Sequence, residues 1–564
     1  MDDEKRTSLH EQTPDNGSAP PESLPYPGDL APHVDDEDQD NMVLEKIDWA
    51  DDPANPHNWS FGKRCFHTFI PTSIAFITTL SSSIYTPGRA QVMNEFGVSS
   101  TVAILPFSFY ALGLAFGPLI ASPSSENFGR RAVYLVCTPI FALFTLGAGF
   151  SQSVAALIVC RFFAGCFGSP ALSVGNGSIS DVWAPHERTV PTALIVCGPF
   201  LGPAFGPLLG GFVVEGKDWR WTQWTILFFV VAFLTPAFFM SETYKKQILK
   251  IRAKKQTGRG AELQRTETAA SRASKAAQGI QVVLMNTLGR PIHMLFTEPI
   301  IGLFSLYVAF IFGVQYAFFE SSAYVFETFY GFSLGSQGLT FLGLAAGCLI
   351  GFTTITTNSY VFDKPRVARW RAQQEQLALQ NTSNRTSSTQ VNAPADDPGA
   401  LESGVVESAH AQPLRTSYNP PPEFTLYIAY PGTVMLPIAL FLFGWTAQYR
   451  VHWIVPIIGE ALFGTANLLI FMACTAYLMN TYGPRYGASA MAACSLLRYI
   501  LGAVFPLFIL QMYETLGTGW ATSLLGFVTV AMAIIPWCFM RWGAFLRSKS
   551  QYPCEGLGQR RGGQ

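Results

Sequence analysis

The sequence predicts an all-α integral membrane protein with twelve transmembrane helices in two pseudo-symmetric six-helix bundles. Three observations carry that expectation. Of 564 residues, 49% are hydrophobic and only 13% are charged, roughly half the charge of an ordinary soluble chain. Mean hydropathy is +0.24 although long polar segments are averaged in. Twelve apolar stretches each approach the ~20 residues that a ~30 Å hydrocarbon core requires; they lie near 66–86, 101–121, 132–151, 154–180, 190–213, 222–240, 299–321, 337–358, 424–446, 453–479, 487–512 and 519–541. The polar stretch 241–295 splits them six and six, the plan of a two-bundle transporter with a central linker.

The flanking segments follow from charge. Residues 1–45 hold 13 Asp or Glu against Lys5 and Arg6, so 1–64 is expected to be an acidic, disordered cytoplasmic tail. No apolar h-region follows the start, and the first span is expected to direct insertion. With both termini in the cytoplasm and both long loops left out, 14 Lys or Arg fall inside. Only Arg89, Lys217, Arg220 and Arg450 fall outside, the sense of the positive-inside bias. The expected bodies are 65–240 and 298–541 for the bundles, 241–297 for a basic cytoplasmic linker and 542–564 for a cytoplasmic tail. The insert 360–422 is rich in Gln, Asn, Ser, Ala and Pro and is expected to be disordered and cytoplasmic. Its sequons at Asn381 and Asn384 should then carry no glycan.

Other classes are excluded by what the chain lacks. A net charge of −1 supplies no field for nucleic acid. The ten Cys show no CxxC spacing and the eight His no HxxxH pair, so neither a metal site nor a disulfide scaffold is expected. No phosphate loop occurs, so no direct ATP drive is expected, and neither a cofactor nor enzymatic chemistry is expected.

The fifth span reads Gly198-Pro-Phe-Leu-Gly202-Pro203-Ala-Phe-Gly206-Pro207-Leu-Leu-Gly210-Gly211. Glycine every four residues forms one slowly turning stripe on a helix. Such a stripe admits a neighbouring helix at close range, and the prolines bend it. Two readings stand side by side: a tight static contact, or a bendable seam between halves. Between spans two and three lies Glu126-Asn-Phe-Gly129-Arg130-Arg131. It reads as a conformational charge latch or as positive-inside anchoring.

Ionisable groups inside spans are costly and functional by default. Arg161 lies deep in span four, followed by Asn176 and by Asp181 near the inner end. Arginine binds anions or biases a nearby acid, and is a poor proton carrier. Glu460 sits in an apolar run of span ten, seven residues before Asn467. A carboxyl removed from water favours its neutral form, which a proton-coupled site needs; the bland reading is a carboxyl hydrogen-bonded between helices. Glu460 and Arg161 have similar offsets in their spans, so repeated halves would bring them to one cavity. Glu320 reads as interfacial, and Arg498 has no partner legible in sequence. Arg161, Glu460 and Asp181 are the proton-coupling candidates. Asn176, Tyr316, Phe319 and Asn467 are the substrate-contact candidates, the aromatics being equally at home in packing.

Together these segments resemble the major facilitator superfamily, in its fungal twelve-span drug:proton antiporter branch. The resemblance runs from Asn55-Pro-His-Asn58-Trp59-Ser60 to about 542, without the 360–422 insert. Glu126 with Gly129-Arg130-Arg131 resembles the family's loop 2–3 motif, with Glu for the more widespread Asp. Arg161 with Gly165 and Gly168 resembles its fourth-span motif. Gly202-Pro203, Gly206-Pro207 and Gly210-Gly211 resemble its fifth-span antiporter motif. Trp219-Arg220-Trp221, Glu242-Thr243-Tyr244, Glu298-Pro299 and His452-Trp453-Ile454-Val455-Pro456 fit the same branch. Two departures stand out: Asn480 occupies a position where many relatives carry a carboxylate, and Asp363-Lys-Pro-Arg366 reads as a decayed second-half copy of the loop 2–3 motif.

The resemblance implies a monomeric, proton-coupled plasma-membrane exporter of small organic compounds (drugs, toxins, polyamines) working by alternating access. The alternatives are a proton-coupled importer of the same fold and, in another class, a membrane sensor.

Overall fold

The computed structural model describes residues 49–184, 187–256, 289–391, 420–552 and 554. In the first half, α1 (Phe61–Ser83), α2 (Ser100–Phe128) and α3 (Arg130–Gly149) are followed by α4, which is broken into Val154–Gly168 and Pro170–Val182. Then come α5 (Thr189–Gly216) and α6 (Arg220–Ala237). In the second half, α7 is Pro299–Tyr330, and α8 is made of Leu334–Thr340 and Leu342–Asn358. After them come α9 (Ala429–Gln448), α10 (Ile454–Gly483), α11 (Tyr486–Leu516) and α12 (Thr518–Met532 with Ile534–Ser548).

Local chemistry sets the ends. Ser99, Ser153 and Ser333 each accept from the N–H three residues on, at 3.4, 3.3 and 3.4 Å, starting α2, α4 and α8. Gly331 closes α7 in the left-handed region at φ 65. Gly483 (φ 59, ψ −168) parts α10 from α11, a conformation only glycine adopts without strain. Pro170 leaves the Cys166 carbonyl without its usual donor, and the Ser169 hydroxyl supplies one at 3.1 Å.

Ten of these twelve positions are filled by helices long and apolar enough to cross a bilayer on composition alone. The other two are α1 and α6. The C-terminal end of α1 is Thr78-Thr79-Leu80-Ser81-Ser82-Ser83 and α6 begins Arg220-Trp-Thr-Gln, so each gives up apolar length to polar contacts. Large apolar side chains such as Leu143, Phe228, Val231, Val434 and Phe527 stand exposed around the bundle, as a lipid-facing surface requires. Within the first half α1 packs on α5 and α2 on α4; within the second, α7 packs along α10 and α11. The halves meet where α5 lies on α8 and where α2 lies on the α10–α11 pair.

The expected boundaries need correction in three places. The insert 360–422 is not disordered at its start: α8 passes through a π turn at Ser359–Asp363 into the helix Lys364–Val391. Trp370-Arg-Ala-Gln-Gln-Glu-Gln-Leu-Ala-Leu-Gln is built of strong helix formers, and a helix already running needs no new nucleus. The N-terminal tail ends earlier than 64, since Asn55 and Trp59 are buried and a short helix forms at Pro56–Asn58. The second half extends past 541, because α12 runs to Ser548 and residues to Tyr552 dock on Glu298. Residues 1–48, 257–288 and 392–419 of the tail, linker and insert lie outside the described residues.

Candidate functional site

The first constellation is built on the hydroxyl-rich end of α1. A helix C-terminus leaves carbonyls without intrahelical partners and carries partial negative charge. Arg161 of α4 takes them: Nη1 donates to the Ser81 carbonyl at 2.8 Å and Nη2 to the Ser82 carbonyl at 3.1 Å. Its guanidinium lies over the Tyr110 ring at 4.5 Å, and the Tyr110 hydroxyl donates to the Thr78 carbonyl at 2.6 Å. Arg161 is 1% exposed, and its Nε has no partner. The network crosses to the second half, where the Tyr316 hydroxyl of α7 donates to Ser82 Oγ at 3.3 Å.

The second constellation is a polar ladder between the antiparallel helices α7 and α10. Ser322 Oγ donates to Glu460 Oε1 at 2.6 Å, and Asn467 Nδ2 donates to Gln315 Oε1 at 2.7 Å. The two rungs are seven residues apart on each helix, so both project from one face. Glu460 is buried, and its Oε2 has no partner. It belongs to the second half, and among the described residues no hydrogen bond or ion pair joins it to Arg161. Rings from the two halves meet in the seam, Phe107 and Phe319 among them, 6.0 Å apart.

A third constellation gathers where α3 begins. Arg130 Nε pairs with Asp181 at 3.2 Å and its Nη1 bonds Ser125 Oγ. Glu242, just past α6, accepts from the backbone N–H groups of Arg130 (2.9 Å) and Arg131 (3.1 Å), a carboxylate on a helix N-terminus. Gly129 sits at φ 94, and a Cβ there would fall 2.7 Å from Glu242 Cδ. Glu126, the acid singled out in sequence, is exposed, while Asp181 and Glu242 make the contacts. Glu242 was legible only in the segment Glu242-Thr243-Tyr244. The second half repeats this clasp with charges exchanged: Arg547 on α12 bonds Glu423 ahead of α9 and the Tyr477 hydroxyl of α10. Asp363 pairs locally with Arg366 at 3.7 Å.

The glycine stripe of α5 faces α1. A Cβ at Gly202 would lie 2.6 Å from the Phe76 carbonyl oxygen and 2.7 Å from Leu80 N; one at Gly206, 2.8 Å from Ile84 N; one at Gly210, 2.5 Å from the Ile84 oxygen. Gly198 meets Thr72. Pro207 offers no N–H to the Pro203 carbonyl, and Ser83 Oγ of α1 donates to it instead at 3.1 Å. The seam with α8 uses the adjoining face: a Cβ on Gly211 would lie 2.5 Å from the Leu334 oxygen, and one on Gly338 2.7 Å from the Pro207 oxygen. The same end carries Arg89, which pairs with Glu320 of α7 across the halves at 2.7 Å. Glu215 of α5 accepts from Gly335 N at 3.0 Å. Beneath them lies a cavity of about 120 Å³ lined by Arg89, Pro207, Phe319, Glu320 and Gln337. The pairing of Arg89 with Glu320 had no signal in sequence, since 231 positions separate them. Of the substrate candidates, Tyr316, Phe319 and Asn467 are buried at or near the seam and Asn176 is exposed on α4.

Two six-helix halves with mirrored polar clasps at one end and a closed seam at the other define a two-bundle membrane transporter. Comparison with known proteins agrees. The sequence profile of the Major Facilitator Superfamily matches residues 72–372. The chain is 37% identical over 513 residues to polyamine transporter 4 of Saccharomyces cerevisiae, covering 90% of this chain and 73% of that protein. It is 35% identical to the MFS-type transporter tndD of Aspergillus flavipes (89% and 85% covered), and 34% identical to fluconazole resistance protein 1 of S. cerevisiae (92% and 87%). In structure it resembles the xylose transporter XylE from E. coli in a partially occluded inward-open conformation, with TM-score 0.54 and 14% identity over 84% of this chain and 99% of that one. The chain belongs to the Major Facilitator Superfamily, among its fungal drug-type transporters. It is a multi-pass membrane transporter and not an enzyme.

Proposed function

We propose that the chain is a proton-coupled antiporter that exports small organic compounds across the plasma membrane by alternating access, as a monomer with both termini in the cytoplasm. The observation that carries this reading is the asymmetry of the two ends. At the Arg89 end, contacts such as Arg89–Glu320 and α5–α8 join the two halves. At the Arg130 end, each clasp lies within one half. A body held together at one end and braced half by half at the other is built to rock. With the Arg89 end outside, this is the shape that receives cargo from the cytoplasm.

In this reading Glu460 carries the proton, alternating between its Ser322 bond and water as the halves separate. Arg161 holds the end of α1 rigid against α4 and tunes the electrostatics of the seam. Asp181 is coupled to the clasp through Arg130. Tyr316, Phe319, Asn467 and Asn176 contact cargo. Glu126, Gly129, Arg130 and Arg131, with Gly198, Gly202, Pro203, Gly206, Pro207 and Gly210, govern the conformational change. A relative named for fluconazole resistance and another named as a polyamine transporter support a small organic cargo.

The test is flux in proteoliposomes under an imposed pH gradient with a panel of organic cargos. Glu460→Gln is expected to lower gradient-driven flux at least tenfold while leaving cargo exchange at equal pH intact. Unchanged driven flux in that variant removes Glu460 from the mechanism, and cargo moving with the proton rather than against it reverses the direction.

A further inference from the structure

Three arginines are buried in the membrane-spanning part of the described residues, and they are not equally satisfied. Arg161 bonds two carbonyls of α1. Arg547 has Glu423 and Tyr477. Arg498 of α11 has a single long bond, Nη2 to Ser495 Oγ at 3.5 Å, and its Nε is buried without a partner. It is 9% exposed. What surrounds it is aromatic: its guanidinium lies 5.0 Å from the Phe312 ring, 4.9 Å from Phe471 and 4.6 Å from Tyr499. Rings solvate a guanidinium partly through their faces, but they leave its in-plane donors empty. A lone buried cation is expensive to keep, and its fork of donors matches a carboxylate.

The rings around Arg498 belong to a longer series that runs along the seam. Phe312 meets Tyr316 at 4.7 Å, Tyr316 meets Phe107 at 5.3 Å and Phe319 meets Phe341 at 5.8 Å, each pair tilted, while Phe107 meets Phe319 edge-on at 6.0 Å. Phe319 and Phe341 line the cavity at the Arg89 end. On the other side Phe471 meets Phe200 of α5 at 5.2 Å. Phe107 and Phe200 come from the first half and the others from the second, so separation of the halves uncovers both ring faces and cation.

We infer that Arg498 and its rings form the docking site for cargo, and that the cargo is a flat aromatic compound bearing a carboxylate or similar anion. The inference rests on the transporter reading and names its substrate class. The guanidinium takes the anion through the donors that now lack partners, and the ring series takes the flat body by stacking. A polyamine offers neither feature and meets a like charge at Arg498.

The experiment is binding of matched probes to the purified full-length chain in detergent, without any gradient, by calorimetry. The probes are 2-naphthoate, its neutral amide 2-naphthamide, and spermidine. The wild type is expected to bind the acid at least tenfold more tightly than the amide, since charge-assisted hydrogen bonds are about twice as strong as neutral ones. Arg498→Gln should bring the two within about twofold, and Arg498→Lys should keep an intermediate preference, as a point charge replaces the fork. Should the glutamine variant fail to fold, the wild-type ratio and the lysine variant decide alone. Equal binding of acid and amide, no binding of the acid, a preference that survives Arg498→Gln, or spermidine outcompeting the acid overturns the inference. Gradient-driven flux is measured in parallel: acid preference without flux sinks the transporter reading and keeps the site, whereas flux without acid preference sinks the site alone.

Discussion

Replacing Arg89 by Ala should open the Arg89 end. In the closed shape Glu320 is 5% exposed, its Oε2 lies 2.7 Å from Arg89, and its Oε1 is already without a partner. Deleting one member of a fully buried pair costs about 3–5 kcal/mol because the other charge is stranded. Arg89 is 24% exposed, so water makes good part of that loss and about 1–3 kcal/mol remains. In the proposed rocking motion Glu320 reaches water as the halves part, so the penalty falls on the closed shape alone. A bias of that size moves a two-state equilibrium about 5- to 150-fold. The assay is the rate at which an impermeant maleimide labels Ala323→Cys, on α7 beside the cavity, in a chain whose native cysteines have been replaced. Arg89→Ala should raise that rate by the stated factor, and adding Glu320→Gln should recover most of the wild-type rate, since a neutral amide is cheaper to bury. A rate that ignores Arg89→Ala, or that stays high in the double variant, refutes the assignment of this pair as the closure of that end.

Three further outcomes are expected. Ser83→Ala leaves the Pro203 carbonyl without a donor and should lower stability by about 1–2 kcal/mol; in a Pro207→Ala background, which restores the helical N–H, the loss should shrink to a few tenths, read as Tm values around a double-mutant cycle. Gly129→Ala forces a side chain into positive φ and against Glu242, and should cost about 2 kcal/mol or more with loss of the clasp, seen as a lower Tm that Glu242→Ala lowers no further. At the start of α6 Arg220 bonds both oxygens of Glu95, at 2.8 and 2.6 Å, and holds that carboxyl below its usual range. A depressed carboxyl stabilises above its unfolded value and stops doing so as pH falls through the folded one. The Tm difference between wild type and Arg220→Gln should therefore be constant at neutral pH and close progressively below about pH 4.5.

Much of the architecture was legible because a bilayer enforces it. Long apolar stretches, their division at 241–295 and the cost of an intramembrane charge are local properties of sequence, and they pointed to α1–α12 and to Arg161. The glycine and proline repeat of α5 announced a close helix contact but not its partner, since both faces of a helix rich in small residues can be approached. The row 198–202–206–210 went to α1, and Gly211 with the Pro207 carbonyl went to α8. The partners of Arg130 were hidden for a related reason: Glu126 is nearer in sequence, yet Asp181 and Glu242, from distant helices, meet Arg130 in this shape. The helix beyond α8 was hidden because polar composition alone does not distinguish a solvated helix from a solvated coil.

The hydroxyls that end α1 have a consequence for biogenesis. Thr78, Ser82 and Ser83 find their tertiary partners on α4, α5 and α7, which are synthesised later. Until those arrive, α1 carries a polar C-terminal end that the lipid interior disfavours, and it falls outside the set that qualifies as membrane-spanning on composition. Its entry into the bilayer is accordingly a loan that later segments settle, and truncation of the nascent chain before α4 should leave α1 poorly integrated.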